Sequence, residues 1–123
     1  MKKLLLYFPI LFLFGFSATL LAQTQAEMNQ TAINDYKKAD NELNLVYKKL
    51  VKQLSEKEKK LLIVAQKDWI KFRDSKCNFE QKEYEGGSIQ PVIYYACLME
   101  CTNKRTEDLK ANLEDREKRY GAK

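Results

Sequence analysis

The sequence contains no histidine, the residue that most often serves as a general base and as a metal ligand. It also lacks a serine–base arrangement, a phosphate-binding glycine loop and a CxxC redox motif. Carboxylates are plentiful, but nothing in their spacing singles out a catalytic pair. We therefore expect a protein that is not an enzyme and that holds no cofactor and no metal ion.

Glycine and proline are scarce, with four glycines and two prolines among 123 residues. The long segments between them show none of the polar–apolar alternation that is typical of a strand. No internal repeat is evident, and no linker divides the chain. The length suits one small domain.

The first 22 residues differ in composition from the rest. Two lysines precede an apolar run over residues 4–16, and Ala22 is a small residue suited to a cleavage point. This pattern is typical of a secretory signal peptide, with an uncleaved membrane anchor as the alternative. We expect a signal peptide over residues 1–22, a mature domain over residues 23–123, and a periplasmic or secreted location. Membrane contact is then confined to the signal segment before cleavage.

Charge of one sign is not in large excess. The net charge of +5 falls to about +3 once the two lysines of the signal peptide leave. The remaining lysines alternate with glutamate and aspartate, which solvated helix faces explain better than a phosphate-binding patch does. We expect a protein partner and no nucleic acid.

Apolar residues recur every three or four positions in three segments, which predicts three amphipathic helices. The first covers about residues 24–54. The second begins after Ser55, which forms a capping-box pattern with Glu58. It continues to about Tyr84, and its predicted apolar positions are Leu61, Leu62, Ala65, Trp69, Phe72 and Phe79.

The second and third helices form a predicted hairpin around Gly86 and Gly87, since glycine supplies the left-handed conformation that often ends a helix. Ser88 is the expected cap of the third helix, with Pro91 tolerated in its first turn. The prediction is an all-α fold, a small antiparallel three-helix bundle with short turns.

A polar stripe accompanies the apolar one on the second helix. Its members are spaced by three or four residues and so share one side of the helix. Such a stripe either faces a partner or forms a core seam with neighbouring helices, and we favour the seam. In an antiparallel hairpin Trp69 lies opposite Arg105, which allows the guanidinium to stack on the indole. The predicted seam consists of Asp40, Asn44, Gln66, Trp69, Arg73, Thr102 and Arg105.

Three cysteines remain to be placed. Cys77 and Cys97 each lie ten residues from Gly87, so a hairpin folded there brings them level. In an exported chain this favours a disulfide across a loop of about 20 residues, which contributes about 3 kcal/mol. Cys101 is left over as a buried small residue, a rival partner for Cys77 or a handle for dimerisation. The spacing of the three fits no standard zinc pattern.

These motifs, taken in order, resemble the LprI-like family of small exported bacterial proteins, some of which inhibit lysozyme. The matching segments cover nearly the whole predicted mature chain. They are Glu27-Met-Asn-Gln, Asp40-x-Glu-Leu-Asn44-x-x-Tyr47, Gln66-x-x-Trp69-x-x-x-Arg73-Asp74-x-x-Cys77, Gly86-Gly87-Ser88 and Cys97-Leu98-x-x-x-Thr102-x-x-Arg105. The resemblance implies an all-helical fold with a Cys77–Cys97 disulfide. The chain departs from the family at Thr31, where relatives often carry a cysteine, and at Cys101, where an apolar residue is usual.

Two functions are consistent with these features. The first, implied by the resemblance, is a protein that inhibits lysozyme by direct contact. Its candidate contact loop is the hairpin turn of Gly86, Gly87 and Ser88, near which three glutamates cluster. A plain helix-to-helix turn is the alternative interpretation of that loop. The second function is a general periplasmic interaction or stress module without lysozyme inhibition, which an exposed Trp69 would favour.

Overall fold

The computed structural model describes residues 8–121, with side chains from residue 19 onward. A short 3-10 helix, Lys82–Tyr84, follows the second of three α-helices. No strand occurs within the described residues, and the predicted all-α class is confirmed. The three helices are α1 (Phe8–Val51), α2 (Glu56–Gln81) and α3 (Gln90–Tyr120).

Consecutive helices run antiparallel, so α1 and α3 run in the same direction. The closest approaches of both α1 and α2 are to α3, which is therefore the central element. Tyr36 of α1 packs against Tyr95 of α3, with ring centroids 6.0 Å apart. On the other side, Arg116 of α3 donates a 2.8 Å hydrogen bond to Glu58 of α2.

The core consists of two clusters stacked along the bundle. The α1 members of the first cluster are three or four positions apart, as the helical pattern predicts. The cluster near the C-terminal end of α1 contains Leu43, Val46, Leu50 and Leu109. The cluster nearer the α2–α3 turn contains Cys77, Cys97 and Leu98.

The inward side of α2 is the polar stripe that ends at Cys77, where Arg73 and Cys77 are buried. Leu61, Phe72 and Phe79, three of the predicted apolar positions, are 65%, 62% and 81% exposed and lie outside the core. The two stripes lie on different sides of α2, and a helix packed on one neighbour buries a single side. The bond from Cys77 to Cys97 selects the polar stripe.

Two helix ends also differ from expectation. α1 ends at Val51 rather than near Leu54, because the amides of Gln53 and Leu54 bond three residues back and tighten the last turn. Ser88 does not cap α3. The cap position is Ile89, without a side-chain cap bond, and its backbone is already helical. The capping box at Ser55 is confirmed, with both reciprocal hydrogen bonds present.

Within the residues whose side chains are described, no helix is both long and apolar enough to cross a membrane. The predicted signal peptide, residues 1–22, lies mostly outside those residues. α1 continues without a break through the predicted cleavage point after Ala22. The domain boundary at residue 23 therefore stays a prediction.

Glu58 gives the start of α2 a pH-dependent contribution to stability. Hydrogen bonds from Arg116 and from the backbone and side chain of Ser55 lower the pKa of Glu58 from 4.5 to about 2. A folded-state pKa below the unfolded value stabilises the fold fully above the unfolded value. We expect this stabilisation to be lost as the pH falls from about 4.5 to about 2.

Melting temperatures of the wild type and of Glu58→Gln, measured from neutral to acid pH, test this expectation. The melting temperature of the wild type should fall more steeply across that range than that of the variant. Glu56→Gln is the matched control, because Glu56 is 84% exposed and pairs with Lys59 alone. Parallel curves for the wild type and Glu58→Gln would contradict the assignment.

Candidate functional site: the hairpin tip and the polar seam

The turn between α2 and α3, residues 82–89, is called the hairpin tip below. Gly86 has a φ of +80°, a conformation that residues with a Cβ rarely adopt. The N–H of Gly87 donates a 3.0 Å hydrogen bond to the carbonyl of Tyr84. A Cβ on Gly87 would lie 3.2 Å from that same oxygen. Gly86 thus supplies the backbone angle of the reversal, and Gly87 allows a close approach that a Cβ would crowd.

Gln90 connects the hairpin tip to both helices. Its side-chain oxygen accepts a 3.3 Å hydrogen bond from the N–H of Gly86. Its side-chain nitrogen donates a 3.4 Å hydrogen bond to Gln81 at the end of α2. The sequence analysis missed this residue, since a glutamine beside Pro91 carries no signal of a cross-helix bond.

Behind the tip, the Cys77–Cys97 disulfide joins α2 to α3 with a Cα–Cα distance of 5.6 Å. The predicted pairing is confirmed. Both cysteines are buried, so the link is shielded from solvent. Cys101 is free and half-buried, and its sulfur lies within 4.8 Å of the other two. That distance is consistent with Cys101 as a rival partner for Cys77.

The acidic cluster beside the tip is partly neutralised. Glu80 forms an ion pair with Lys76, and Glu85 forms one with Lys82. Among the described residues, no cation pairs with Glu83. The local negative charge of the tip is therefore concentrated on one carboxylate.

Apolar side chains flank that carboxylate. Phe79 is 81% exposed and Tyr84 is 41% exposed. Together with Ile93 they line a shallow depression of about 420 Å³. Ser88 is exposed as well, and no described residue bonds to its hydroxyl. The tip thus offers apolar surface, a carboxylate and a hydroxyl on a fixed backbone.

The polar seam is organised around Trp69, which is half-buried. The guanidinium carbon of Arg73, on the same helix, lies 5.1 Å from the indole ring centroid. That of Arg105, on α3, lies 5.9 Å from it. Arg105 also donates a 3.0 Å hydrogen bond to Gln66. A guanidinium group over an indole is attracted to its π face, so the Arg105 contacts hold α2 against α3.

Arg73 extends the seam to α1. It is 8% exposed, and its guanidinium carbon lies 5.7 Å from the ring centroid of Tyr36. Asp74 neutralises it through a 2.9 Å ion pair. Burial raises the pKa of the Tyr36 hydroxyl, and the Arg73 charge opposes that rise. Tyr36 was absent from the predicted seam, although it stands four residues before Asp40 on the same side of α1.

The remaining predicted members are placed differently. Asn44 is exposed and donates a 3.5 Å hydrogen bond to Asp40 within α1, so it does not reach the seam. Asp40 is half-buried. Thr102 is fully buried, and its hydroxyl has no hydrogen-bond partner among the described residues. The arrangement joins three helices by stacking and charge, which is the geometry of a packing network.

Comparison with known proteins identifies a family. The family model described as "Lysozyme inhibitor LprI" matches residues 18–109, a span that includes α2, the hairpin tip and the three cysteines. An uncharacterized protein of Rhizobium meliloti (strain 1021) is 36% identical over 109 residues, which covers 78% of each chain. No solved structure matches.

Arg73→Ala should destabilise the fold, because it removes the guanidinium shared by Trp69 and Tyr36 and leaves a buried gap. We expect a loss of about 2 kcal/mol of unfolding free energy in denaturant titrations. Arg119→Ala is the control, since Arg119 also contacts an aromatic ring, that of Tyr120, but is exposed. It should change stability by no more than about 0.5 kcal/mol. Equal effects of the two variants would rule out a seam held by Arg73.

Cys97→Ser should leave the hairpin cross-linked, because the Cys101 sulfur lies close enough to take over the bond to Cys77. Peptide mapping without reduction, after expression into an oxidising compartment, should find a Cys77–Cys101 disulfide. The double variant Cys97→Ser/Cys101→Ser should contain one free thiol and no cross-link. Two free thiols in the single variant would show that Cys101 cannot reach Cys77.

Proposed function

Because the chain belongs to the LprI family, we propose that it is an exported envelope protein that inhibits lysozyme by direct contact through its hairpin tip. The observation that carries the contact site is an exposed loop on a covalently linked hairpin. The family match over residues 18–109 supports the target. A buried disulfide fits a periplasmic or secreted location, since such bonds persist in oxidising compartments.

Rigidity of the tip favours tight binding. Binding costs free energy for every loop and side chain that must be ordered at the interface. Here the disulfide sets the register of α2 and α3, and Gln90 ties the loop to Gln81. The loop is therefore ordered before it meets a partner, and functional loops on rigid scaffolds follow the same design.

The chemistry of the tip suits a cleft that contains carboxylates. Lysozyme catalyses with two carboxyl groups that flank the bound sugar chain. The two glycines and Ser88 make a slender loop, and the Ser88 hydroxyl is a hydrogen-bond donor that no described residue occupies. Tyr84 and Ile89, both partly exposed, provide apolar anchors at the edge of the contact.

Net charge contributes little to this encounter. Many lysozymes are basic, and a mature chain with a charge of about +3 gains no long-range attraction toward them. The unpaired carboxylate of Glu83 provides local complementarity instead. Close contacts and loop shape, rather than steering, then account for the affinity.

A general interaction or stress module is the alternative function. Trp69 does not support it, because two guanidinium groups half-bury the indole in the seam. The exposed apolar residues on the outer side of α2 do favour some protein contact. They do not by themselves indicate lysozyme as the partner.

The test measures by turbidity how fast chicken-type lysozyme lyses bacteria, with and without this protein. The protein is recovered from the envelope of cells that express the full chain. Near-stoichiometric inhibition is expected. Ser88→Glu should weaken it at least about tenfold, because it places bulk and a negative charge against the carboxylates of the cleft. Asn41→Glu is the control, with the same charge change at an exposed position on α1.

Equal loss of inhibition in the two variants would contradict contact through the tip. Absence of inhibition by protein with a helical circular dichroism spectrum would contradict the lysozyme proposal itself. The general interaction module would then be the better account.

A further inference from the structure

The three cysteine sulfurs of the chain meet at one place between α2 and α3. Cys77 and Cys97 share a disulfide, and the sulfur of Cys101 lies within 4.8 Å of both of their sulfurs. A disulfide bond is about 2.05 Å long, so the sulfur of Cys101 has to approach by less than about 3 Å to form one. Rotation between staggered side-chain conformers moves a cysteine sulfur by about that distance. No helix has to slide for a new bond to form.

The disulfide is closed to thiols from outside the chain. Cys77 is 0% exposed and Cys97 is 6% exposed, whereas Cys101 is half-buried. Disulfide exchange begins when a thiolate attacks a disulfide sulfur, so its rate depends on access. Cys101 is the only other cysteine of the chain, and its sulfur already lies beside the bond. It is therefore the thiol best placed to attack.

A cation lies where a leaving thiolate would form. Nζ of Lys76 donates a 3.9 Å hydrogen bond to the sulfur of Cys97. Hydrogen bonding to Glu80 raises the pKa of Lys76, and the charge of Cys101 adds to the rise. Lys76 therefore stays protonated at a pH at which thiols ionise. A nearby ammonium group stabilises a thiolate, and a stabilised thiolate leaves faster.

We propose that Cys101 exchanges with the disulfide in the folded protein, so that the link between α2 and α3 alternates between Cys77–Cys97 and Cys77–Cys101. The thiolate of Cys101 attacks the sulfur of Cys77. The bond from Cys77 to Cys97 breaks, and its electron pair leaves with Cys97 beside the ammonium group of Lys76. Cys97 then takes up a proton from water in place of the one that Cys101 lost. One disulfide is broken and one is formed, so no oxidant or reductant is consumed.

The geometry of α3 directs the attack to Cys77. Attack on Cys97 would join it to Cys101, one turn further along the same helix. Residues one turn apart have Cβ atoms about 5–6 Å from each other, and a disulfide requires about 3.5–4.5 Å. Attack on Cys77 instead preserves a link between the two helices. Both forms use the same cysteine of α2, so the polar seam faces the bundle in each of them.

The exchange changes which thiol is accessible. In the Cys77–Cys97 form, the free thiol is the half-buried one of Cys101. In the Cys77–Cys101 form, the free thiol is that of Cys97, at a position that is 6% exposed. A thiol must be accessible to be oxidised or to pair with another chain. The second form therefore protects the odd thiol, and the return to the first form makes it reactive again.

Peptide mapping of the wild-type protein tests whether both forms exist. Protein recovered from the envelope is held at about pH 8 without added thiol, and acid then stops exchange by protonating the thiolates. The protein is next denatured and labelled with N-ethylmaleimide below about pH 5. We expect two populations, one labelled on Cys101 with a Cys77–Cys97 bond and one labelled on Cys97 with a Cys77–Cys101 bond.

Labelling of the folded protein tests whether the two forms interconvert. N-ethylmaleimide removes the form with an accessible Cys101, so the other form should drain into it until nearly all molecules are labelled there. Lys76→Gln should slow this conversion at least about threefold, because the leaving thiolate loses its cation. Lys82→Gln is the matched control. Lys82 also pairs with a glutamate of its own segment, Glu85, but it has no contact with a cysteine sulfur.

A map that contains the Cys77–Cys97 bond alone would overturn the proposal. So would a Cys77–Cys101 population that persists while the other form is labelled, because it would show two trapped products of folding. Equal conversion rates in Lys76→Gln and Lys82→Gln would also contradict the step as written. None of these measurements involves lysozyme, so failure of the exchange and failure of lysis inhibition are distinguishable.

Discussion

The disulfide between Cys77 and Cys97 is the constraint on which the rest of the structure depends. It fixes both the register and the rotation of α2 on α3. Given that register, Trp69 lies beneath Arg105, and Gln66 lies within hydrogen-bond distance of the same guanidinium. A rotation of α2 by one residue would separate these groups and turn Phe72 or Phe79 toward the core. One covalent bond thus decides which side of an ambiguous helix is buried.

The two ends of α2 serve different purposes under this constraint. At its N-terminal end, the capping box of Ser55 and Glu58 and the ion pair from Glu58 to Arg116 stabilise the first turn of the helix. At the hairpin tip, two glycines reverse the chain and Gln90 holds the turn. The same helix therefore leads into an ordered loop at one end and exposes several apolar side chains on its outer side, and neither surface is needed to pack the bundle.

Much of the architecture follows from patterns that a single sequence displays. Helical spacing locates the buried positions of α1, because each helix turn returns a residue to the same side. The capping box and the glycine pair are local signals, and the structure has both. Helical spacing alone does not identify the inward side of α2, because both of its stripes have that spacing and both contain large side chains. The polar stripe was favoured there on a different ground, that buried polar groups with partners are common. The prediction that Ser88 caps α3 is wrong because the cap position is Ile89, where the backbone is already helical.

The sequence by itself determined the helical class, the number of helices, the hairpin at the glycine pair and the cysteines that it brings level. These features depend on local backbone preferences and on spacing along the chain. The tertiary structure decided which stripe of α2 is exposed, that Tyr36 joins Arg73 in the seam, and that Asn44 bonds within its own helix. Those outcomes depend on how three helices rotate against one another, and periodicity along one helix carries no information about that rotation.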